Sequence, residues 1–311
     1  MPRTDMNPLF VSPYLTILCD KTGRPRGVQD HTGKRDTIWL EDSMLEQKSG
    51  TPRYVDFRSA SDGGKGSASN DGLSPETPLL TMSAAITAAQ NYDSIGFVGR
   101  CTESGLTLNK VGVHIYGMGQ HYGTQCIWNP SSDAIAITLQ AKGCIFSNFK
   151  AEAGETKAFI KAHRTSGAVN PADLWLVNIE GNTGKYLLDA SDIDNVCVIN
   201  VFAHDMDTPI RCVNGDPKRW MLAGCRFFNN DNHVVARLND SEVVGCRFQA
   251  QGGSKTATVK LDLRNGTTGR NLVHQCFVGG TFSNAGGYYA GSNDEWVNNW
   301  NVGGLRHGNP A

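Results

Sequence analysis

The sequence predicts an all-β fold, a parallel β-solenoid closed at its start by one short helix. Three observations predict it. Glycine supplies 35 of the 311 residues, a share that suits a turn-rich β chain better than a helix bundle. Strand-like triplets recur through the second half: Ser-Asn-Phe at 147–149, Val-Asn-Ile at 177–179, Ile-Asn-Val at 199–201, Ala-Gly-Cys at 223–225, Val-Gly-Cys at 244–246, His-Gln-Cys at 274–276 and Asn-Asn-Trp at 298–300. Their spacing of roughly 21–30 residues is that of solenoid coils. Helical periodicity is clear in one place, where Met82, Ala85, Ile86 and Ala89 recur at i, i+3, i+4 and i+7.

Residues 1–50 read as a separate segment. It offers one strand-like run, Tyr14–Cys19, then Gly/Pro turns and a basic cluster of Lys21, Arg24, Arg26, Lys34 and Arg35. A segment this short cannot bury a core of its own. Its runs "YLTILC" and "TIWL" are nonetheless more apolar than a disordered tail carries. Two expectations stand: a linker or cover for the main domain, or an extended arm that orders against a partner.

The main domain is expected over 51–311. Thr51–Phe57 is a short strand, and a long loop of small polar residues follows, closed by Pro75 and Pro78. Thr81 or Ser83 can N-cap a helix that runs to about Asn91. The segments after it, "SIGFVG", "GLTLN" and "GVHIYGMG", are all strand-like, so the helix is expected to cap the first coil. That gives an N-terminal cap at 51–93, coils over about 94–300 and a C-terminal cap at about 301–311.

Within the coils, the pairs Val177/Ile179, Ile199/Val201, Ala223/Cys225/Phe227 and Val244/Cys246/Phe248 predict a buried stripe of period two. The tetrapeptide GCRF occurs twice, at Gly224–Phe227 and Gly245–Phe248. Each unit holds a second strand, "KAFIKAH", "GKYLLDA", "PIRCVN", "HVVARLN" or "ATVKLD", with no crossover helix. The steps Leu188–Asp189, Val213–Asn214, Leu238–Asn239 and Leu261–Asp262 predict an Asn/Asp ladder at one corner. In this register Arg211 falls with the inward Tyr186, Ala236 and Val259. Either the register slips by one there, which is the simpler reading, or a buried arginine pairs with Asp189 or Asp207.

Residues 54–119, "YVDFRSAS…GSASNDGLSPETPLLTMSAAITAA…DSIGFVGRCTES…LTLNKVGVHIYGMG", resemble the opening segment of pectin-lyase-like right-handed parallel β-helix proteins. The matching positions are Asp71, Gly72, Ser74, Pro78, Thr81, Ala85, Ala89, Asp93, Gly99, Glu103, Gly117 and Gly119. The chain departs from that pattern at Arg100–Cys101, where an aromatic is usual. The resemblance covers about a fifth of the chain; the strand repeat supports the rest. It implies an all-β, right-handed parallel β-helix with a short N-terminal capping helix and an extended N-terminal arm. The fold hosts pectate lyases, glycosidases, epimerases and phage tailspikes, and so does not choose a function.

Composition excludes some classes. A net charge of −1 supplies no basic field, so nucleic-acid binding is not expected. No apolar run of about 18 residues is present, so membrane insertion is not expected. The N-terminus "MPRTDMNPLF" lacks a basic-then-apolar signal, which leads us to expect folding in a cytoplasm. Nine cysteines, an odd number without a C-x-x-C, read as reduced core residues. His114 and His121 lack metal-ligand spacing, and "GMGQHYG" at 117–123 is no phosphate loop, so neither metal nor cofactor is expected.

Three functional readings remain. The leading one is a structural phage virion protein, a tailspike, fibre or capsid decoration made in the host cytoplasm; the similarity of its short N-terminal arm to those of virion β-helix proteins implies a homotrimer. It is anchored to other virion proteins through residues 1–50, with Tyr14, Leu15, Ile17, Leu18, Arg24, Arg26 and Trp39 as contacts. Host polysaccharide is a further expected partner. The alternative is a polysaccharide-cleaving enzyme, glycoside hydrolase or lyase. Glycoside hydrolysis needs two carboxyls about 5–9.5 Å apart. Asp189, Asp205 and Asp207 are the candidates, with Asp192 and Asp194 close in sequence and His204 and Arg211 beside them. Set against this, loop aspartates mostly serve turns. The third reading is a non-catalytic carbohydrate-binding solenoid. For it, Tyr288, Tyr289, Trp296 and Trp300 offer rings for a glycan or another subunit, or simply cap the last coil.

Overall fold

The computed structural model describes the backbone of residues 7–11, 15–19, 25–30 and 38–39, and then residues 50–119, 126–164, 171–249, 257–264, 269–281, 283–301, 304–306 and 308–310. The chain divides into two compact units, Met1–Ser49 and Gly50–Ala311.

In the first unit, strands Asn7–Val11, Leu15–Cys19, Pro25–Asp30 and Ile38–Trp39 pair antiparallel in sequence order. Only the second of these was legible as a strand. Asn7–Val11 and Pro25–Asp30 carry proline, glycine or charge, which masks a period-two pattern, and Ile38–Trp39 is too short to show one. Leu15, Ile17, Leu18, Arg26 and Trp39 lie on these strands. Tyr14 and Arg24 lie outside the described residues.

The second unit is a parallel β-helix of three sheets. One coil shows the plan: Cys197–Ile199 lies in the first sheet, Phe202–Met206 in the second and Ile210–Cys212 in the third. Each strand pairs in parallel with its counterpart in the next coil, as Cys197–Ile199 does with Met221–Ala223 and Phe202–His204 with Arg226–Phe228. Among the described residues the third sheet has eight strands, from Leu106–Leu108 to Tyr288–Tyr289.

Helix α1 (Met82–Ala88) closes the first coil. Thr81 is its N-cap, its Oγ1 accepting from the Ala84 amide at 3.1 Å. The Glu103 carboxylate takes two more orphan amides, those of Met82 (2.6 Å) and Ser83 (3.0 Å). Met82, Ala85, Ile86 and Ala89 are buried, so the face read from the sequence is the face that covers the core. The helix stops three residues short of the expected Asn91, because Ala89 turns extended with ψ at 146°. The polar loop before it has its own task. Backbone bonds from Tyr54 to Gly72, Leu79 to Tyr54 and Asp56 to Leu79 zip it along Pro52–Asp56, the first strand of the first sheet, and so cover an edge.

The corner between the first and second sheets explains the triplets. Their middle residues Asn148, Asn178, Asn200, Gly224, Gly245 and Gln275 all have positive φ, between 50° and 63°, and so does Asn298 at 55°. These are the left-handed positions that asparagine and glycine tolerate best. Asn178 Nδ2 donates to Asn148 Oδ1 at 3.1 Å, and Asn200 Nδ2 to Asn178 Oδ1 at 2.6 Å. The amide ladder therefore stands here. The corner expected at Asp189, Asn214, Asn239 and Asp262 is not one column, since Asp189 pairs in register with Arg211, Arg211 with Val235, and Val235 with Asp262.

The left-handed residue also resets the core stripe. Inward residues across it are three apart, as in Leu176/Ile179, Val198/Val201, Leu222/Cys225 and Val243/Cys246. Val177, Ile199, Ala223 and Val244, expected inward by alternation, are buried but lie outside the continuous core cluster. The last triplet shifts by one. Trp300 pairs with Phe277, and Asn299 takes the inward place, accepting from the Cys276 amide at 2.9 Å and donating to Val273 O at 3.0 Å.

The eight cysteines of the second unit, Cys101 to Cys276, are free, and all are buried except Cys197, a partly exposed residue whose thiol is nonetheless desolvated. Burial pushes the thiols of Cys101, Cys144, Cys197 and Cys212 up to about 12, and those of Cys225 and Cys246 well above the ordinary value.

Candidate functional site

The densest cluster of chemically capable side chains on the third sheet centres on Asp189. Its strand, Tyr186–Ser191, holds Leu187, Leu188 and Ala190 buried, and alternation turns Asp189 outward with its side chain 14 % exposed. From the preceding coil, His163 Nε2 lies 3.0 Å from Asp189 Oδ2. From the following coil, Arg211 Nη1 donates to Oδ1 at 2.7 Å. The Arg211 guanidinium also lies 5.3 Å above the Tyr186 ring. Both readings of Arg211 thus hold in part. The register does slip, so the side chain faces outward and half-buried, and it pairs with Asp189.

This carboxylate has both oxygens engaged, and it fixes an imidazole on one side and a guanidinium on the other. Such a group can orient His163 for proton transfer. Its two hydrogen-bond partners are a histidine and an arginine, where glycoside hydrolysis pairs two carboxyls. His163 was not singled out from the sequence. Nothing local marks it, because the coil register alone brings residues 163, 189 and 211 together.

The other predicted carboxylates stand elsewhere. Asp205 belongs to the second sheet, in strand Phe202–Met206, with its side chain 41 % exposed. His204 Nδ1 lies 2.6 Å from its Oδ2, and the Asn229 amide donates to Oδ1. Its φ of 59° matches those of its register neighbours Thr183 (58°) and Asn229 (50°), so it serves a second left-handed column. His204 reaches Glu180 at 3.2 Å on its other nitrogen. Asp207 follows that strand, its amide donating to Gly184 O and its carbonyl accepting from Asn232 N. Asp192 and Asp194 pair with Arg164 (3.5 Å) and Arg219 (3.5 Å). The single acidic cleft expected from these aspartates is therefore split between sheets, because each strand contributes to one face only.

The aromatic candidates divide likewise. Tyr288 and Trp296 are core residues, their rings 6.3 Å apart and edge-on, and the Tyr288 hydroxyl donates to Gly279 O at 2.9 Å. Neither is within reach of an external ligand, which corrects the surface role expected for them. Tyr289 faces outward, half-buried beneath the Arg264 guanidinium at 3.9 Å. Trp300 is 53 % exposed at the end of the second sheet. Among the described residues no group of three or more His, Cys, Asp or Glu could hold a metal ion.

No protein-family model matches the chain, and no curated protein sequence matches it. Solved structures do. A pectin methylesterase from Aspergillus niger, in penultimately deglycosylated form, aligns over 81 % of this chain and 86 % of its own at 13 % identity, with a TM-score of 0.53. Pectin methylesterase PemA from Erwinia chrysanthemi aligns over 83 % and 91 % at 9 % identity, with a TM-score of 0.37. ORF18 of Geobacillus virus E2 aligns over 94 % and 72 % at 12 % identity, with a TM-score of 0.35. The chain has the right-handed parallel β-helix fold of the pectin-lyase-like proteins. At these identities the likeness extends to the fold alone.

Proposed function

We propose that the chain is a structural surface protein of a phage particle, a homotrimeric β-helix held to other virion proteins by residues 1–49. The observation that carries this reading is the division of the chain. A 49-residue unit, with four short strands among its described residues, precedes a solenoid whose first coil is closed by α1. A unit of that size has little core of its own and gains stability by binding. The candidate carboxylates support the same reading, since Asp189, Asp192, Asp194 and Asp205 are each tied to a cation or an amide. The test is deletion of residues 1–49. The remaining solenoid stays folded, because coils are stabilised by their neighbours. It no longer joins particles, and light scattering reports three chains per assembly for the full protein. Incorporation of the truncated chain into particles overturns the reading.

One observation favours a second reading, an enzyme acting on a polysaccharide. The Asp189 carboxylate, held between His163 and Arg211, could serve a reacting imidazole, and the Aspergillus niger structure of like fold is a pectin methylesterase. Loss of depolymerisation or de-esterification in Asp189→Asn, with Asp205→Asn and Asp207→Asn as companions, would place this reading first.

A further inference from the structure

The repeated GCRF lays one pattern twice on adjacent coils. Its glycine takes the left-handed corner, its cysteine and phenylalanine point inward, and its arginine points outward. Arg226 and Arg247 are therefore register partners, about 4.8 Å apart along the solenoid. Like charges facing each other on neighbouring strands destabilise a sheet. Elsewhere on the second sheet the charges are matched. Arg100 meets Glu152 (3.7 Å), Lys150 meets Glu152 (3.3 Å) and Glu180 (3.7 Å), and His204 meets Glu180 (3.2 Å). Among the described residues neither Arg226 nor Arg247 has an ion-pair partner, and both are exposed.

The two guanidiniums part instead. Arg226 lies over the Phe202 ring on the coil before it, at 5.3 Å, and Arg247 over the Phe277 ring on the coil after it, at 5.1 Å. A groove of about 360 Å³ opens at this point, lined by Phe202, Arg226, Phe227, Phe228, Arg247 and Gln249. Phe227 is the buried floor, stacked on Phe248 at 5.4 Å, so the depression is backed by a packed core.

We propose that this groove binds a carboxylated glycan, with a uronate carboxylate seated between the two guanidiniums. Two planar donor forks around one gap suit a bidentate anion. A bare anion would leave the rest of the lining unused. The half-buried rings of Phe202 and Phe228 can pack against the C–H face of a pyranose, and the Gln249 amide can both donate to and accept from a hydroxyl. This deepens the particle-surface reading by naming the class of glycan met. Every lining residue lies in the solenoid, so failure here and failure of anchoring are separate results.

The test is calorimetric titration of the full chain with a uronate hexasaccharide and with its carboxyl-reduced, neutral counterpart. The acidic oligomer binds at least tenfold more tightly, and its affinity falls with added salt. Arg226→Gln and Arg247→Gln each weaken it by about tenfold or more, the loss of a charge-assisted bond. Arg226→Lys also weakens it, because the fork and the stacking are lost while the charge is kept. Unchanged circular dichroism shows that the variants remain folded. The proposal is overturned if neither oligomer binds, if both bind equally, or if both glutamine variants bind as the parent does. Arginine-dependent binding of inorganic phosphate without oligouronate binding likewise overturns it, leaving a simple anion site.

Discussion

Replacing Asn178 tests what holds the coil corner. Asn178 sits mid-ladder with φ at 53°, donating to Asn148 at 3.1 Å and accepting from Asn200 at 2.6 Å. Asn178→Ala removes both bonds, worth about 0.5–1.5 kcal/mol each, with the solvent-exposed bond to Asn148 at the low end. It also places a Cβ without a local polar partner in the left-handed region, which costs about 1–2 kcal/mol. The sum is about 2–4 kcal/mol of destabilisation. Asn178→Gly removes the same bonds but not the conformational ease. It instead adds about 0.4–1 kcal/mol through a freer unfolded chain. The expected order is wild type, then glycine, then alanine. Urea unfolding followed by far-UV circular dichroism measures it, with m-values compared to confirm that the same transition is observed. An alanine variant at least as stable as the glycine one would refute left-handed strain as the reason for asparagine. Both variants within about 0.5 kcal/mol of wild type, the ordinary scatter of surface changes, would refute the ladder itself.

Three further outcomes are expected. Gly245→Asn should cost less stability than Gly245→Ala, since φ is +61°, a left-handed conformation that asparagine tolerates better than alanine, while a Cβ there meets nothing nearer than Gly224 N at 4.0 Å; an alanine variant with the higher melting temperature would count against it. Cys225, Cys246 and Cys276 should resist thiol reagents until the chain is denatured, because burial raises Cys225 and Cys246 far above their usual range and Cys276 is equally buried; rapid labelling of the native protein would contradict their interior place. His233 is fully buried, and desolvation lowers its imidazole to about 4, against a hydrogen bond with Gln249 O that works the other way. Between pH 4 and about 6.5 the unfolded chain binds more protons at this residue than the folded one, so stability rises with pH across that window and is level above it. The span amounts to about 3 kcal/mol at most. His233→Gln should flatten the difference in unfolding free energy between pH 4.5 and 7, and an unaltered slope would show that other groups carry it.

The sequence by itself determined the solenoid. Its coil spacing and its capping helix are local properties, readable because turn chemistry and helical periodicity act within a few residues. Thr81, Met82, Ala85, Ile86 and Ala89 stand where the pattern put them. Even the Arg226/Arg247 pair was present in the doubled GCRF, although its meaning was not. Only the tertiary structure decided which residues meet. His163, Asp189 and Arg211 are brought together by register between coils, and coil lengths are set by loops whose residues do not announce their count. The left-handed corner made this harder. It breaks the two-residue alternation, so Val177 and Leu176 exchange the roles that alternation assigns them. Arg211, on the third sheet, turns from the core to the surface because the register between coils slips. A one-residue error of phase reverses a side chain's face in a β-strand. That is why the fold was legible in one dimension, and the chemistry on its surface was settled only by the pairing of one coil with the next.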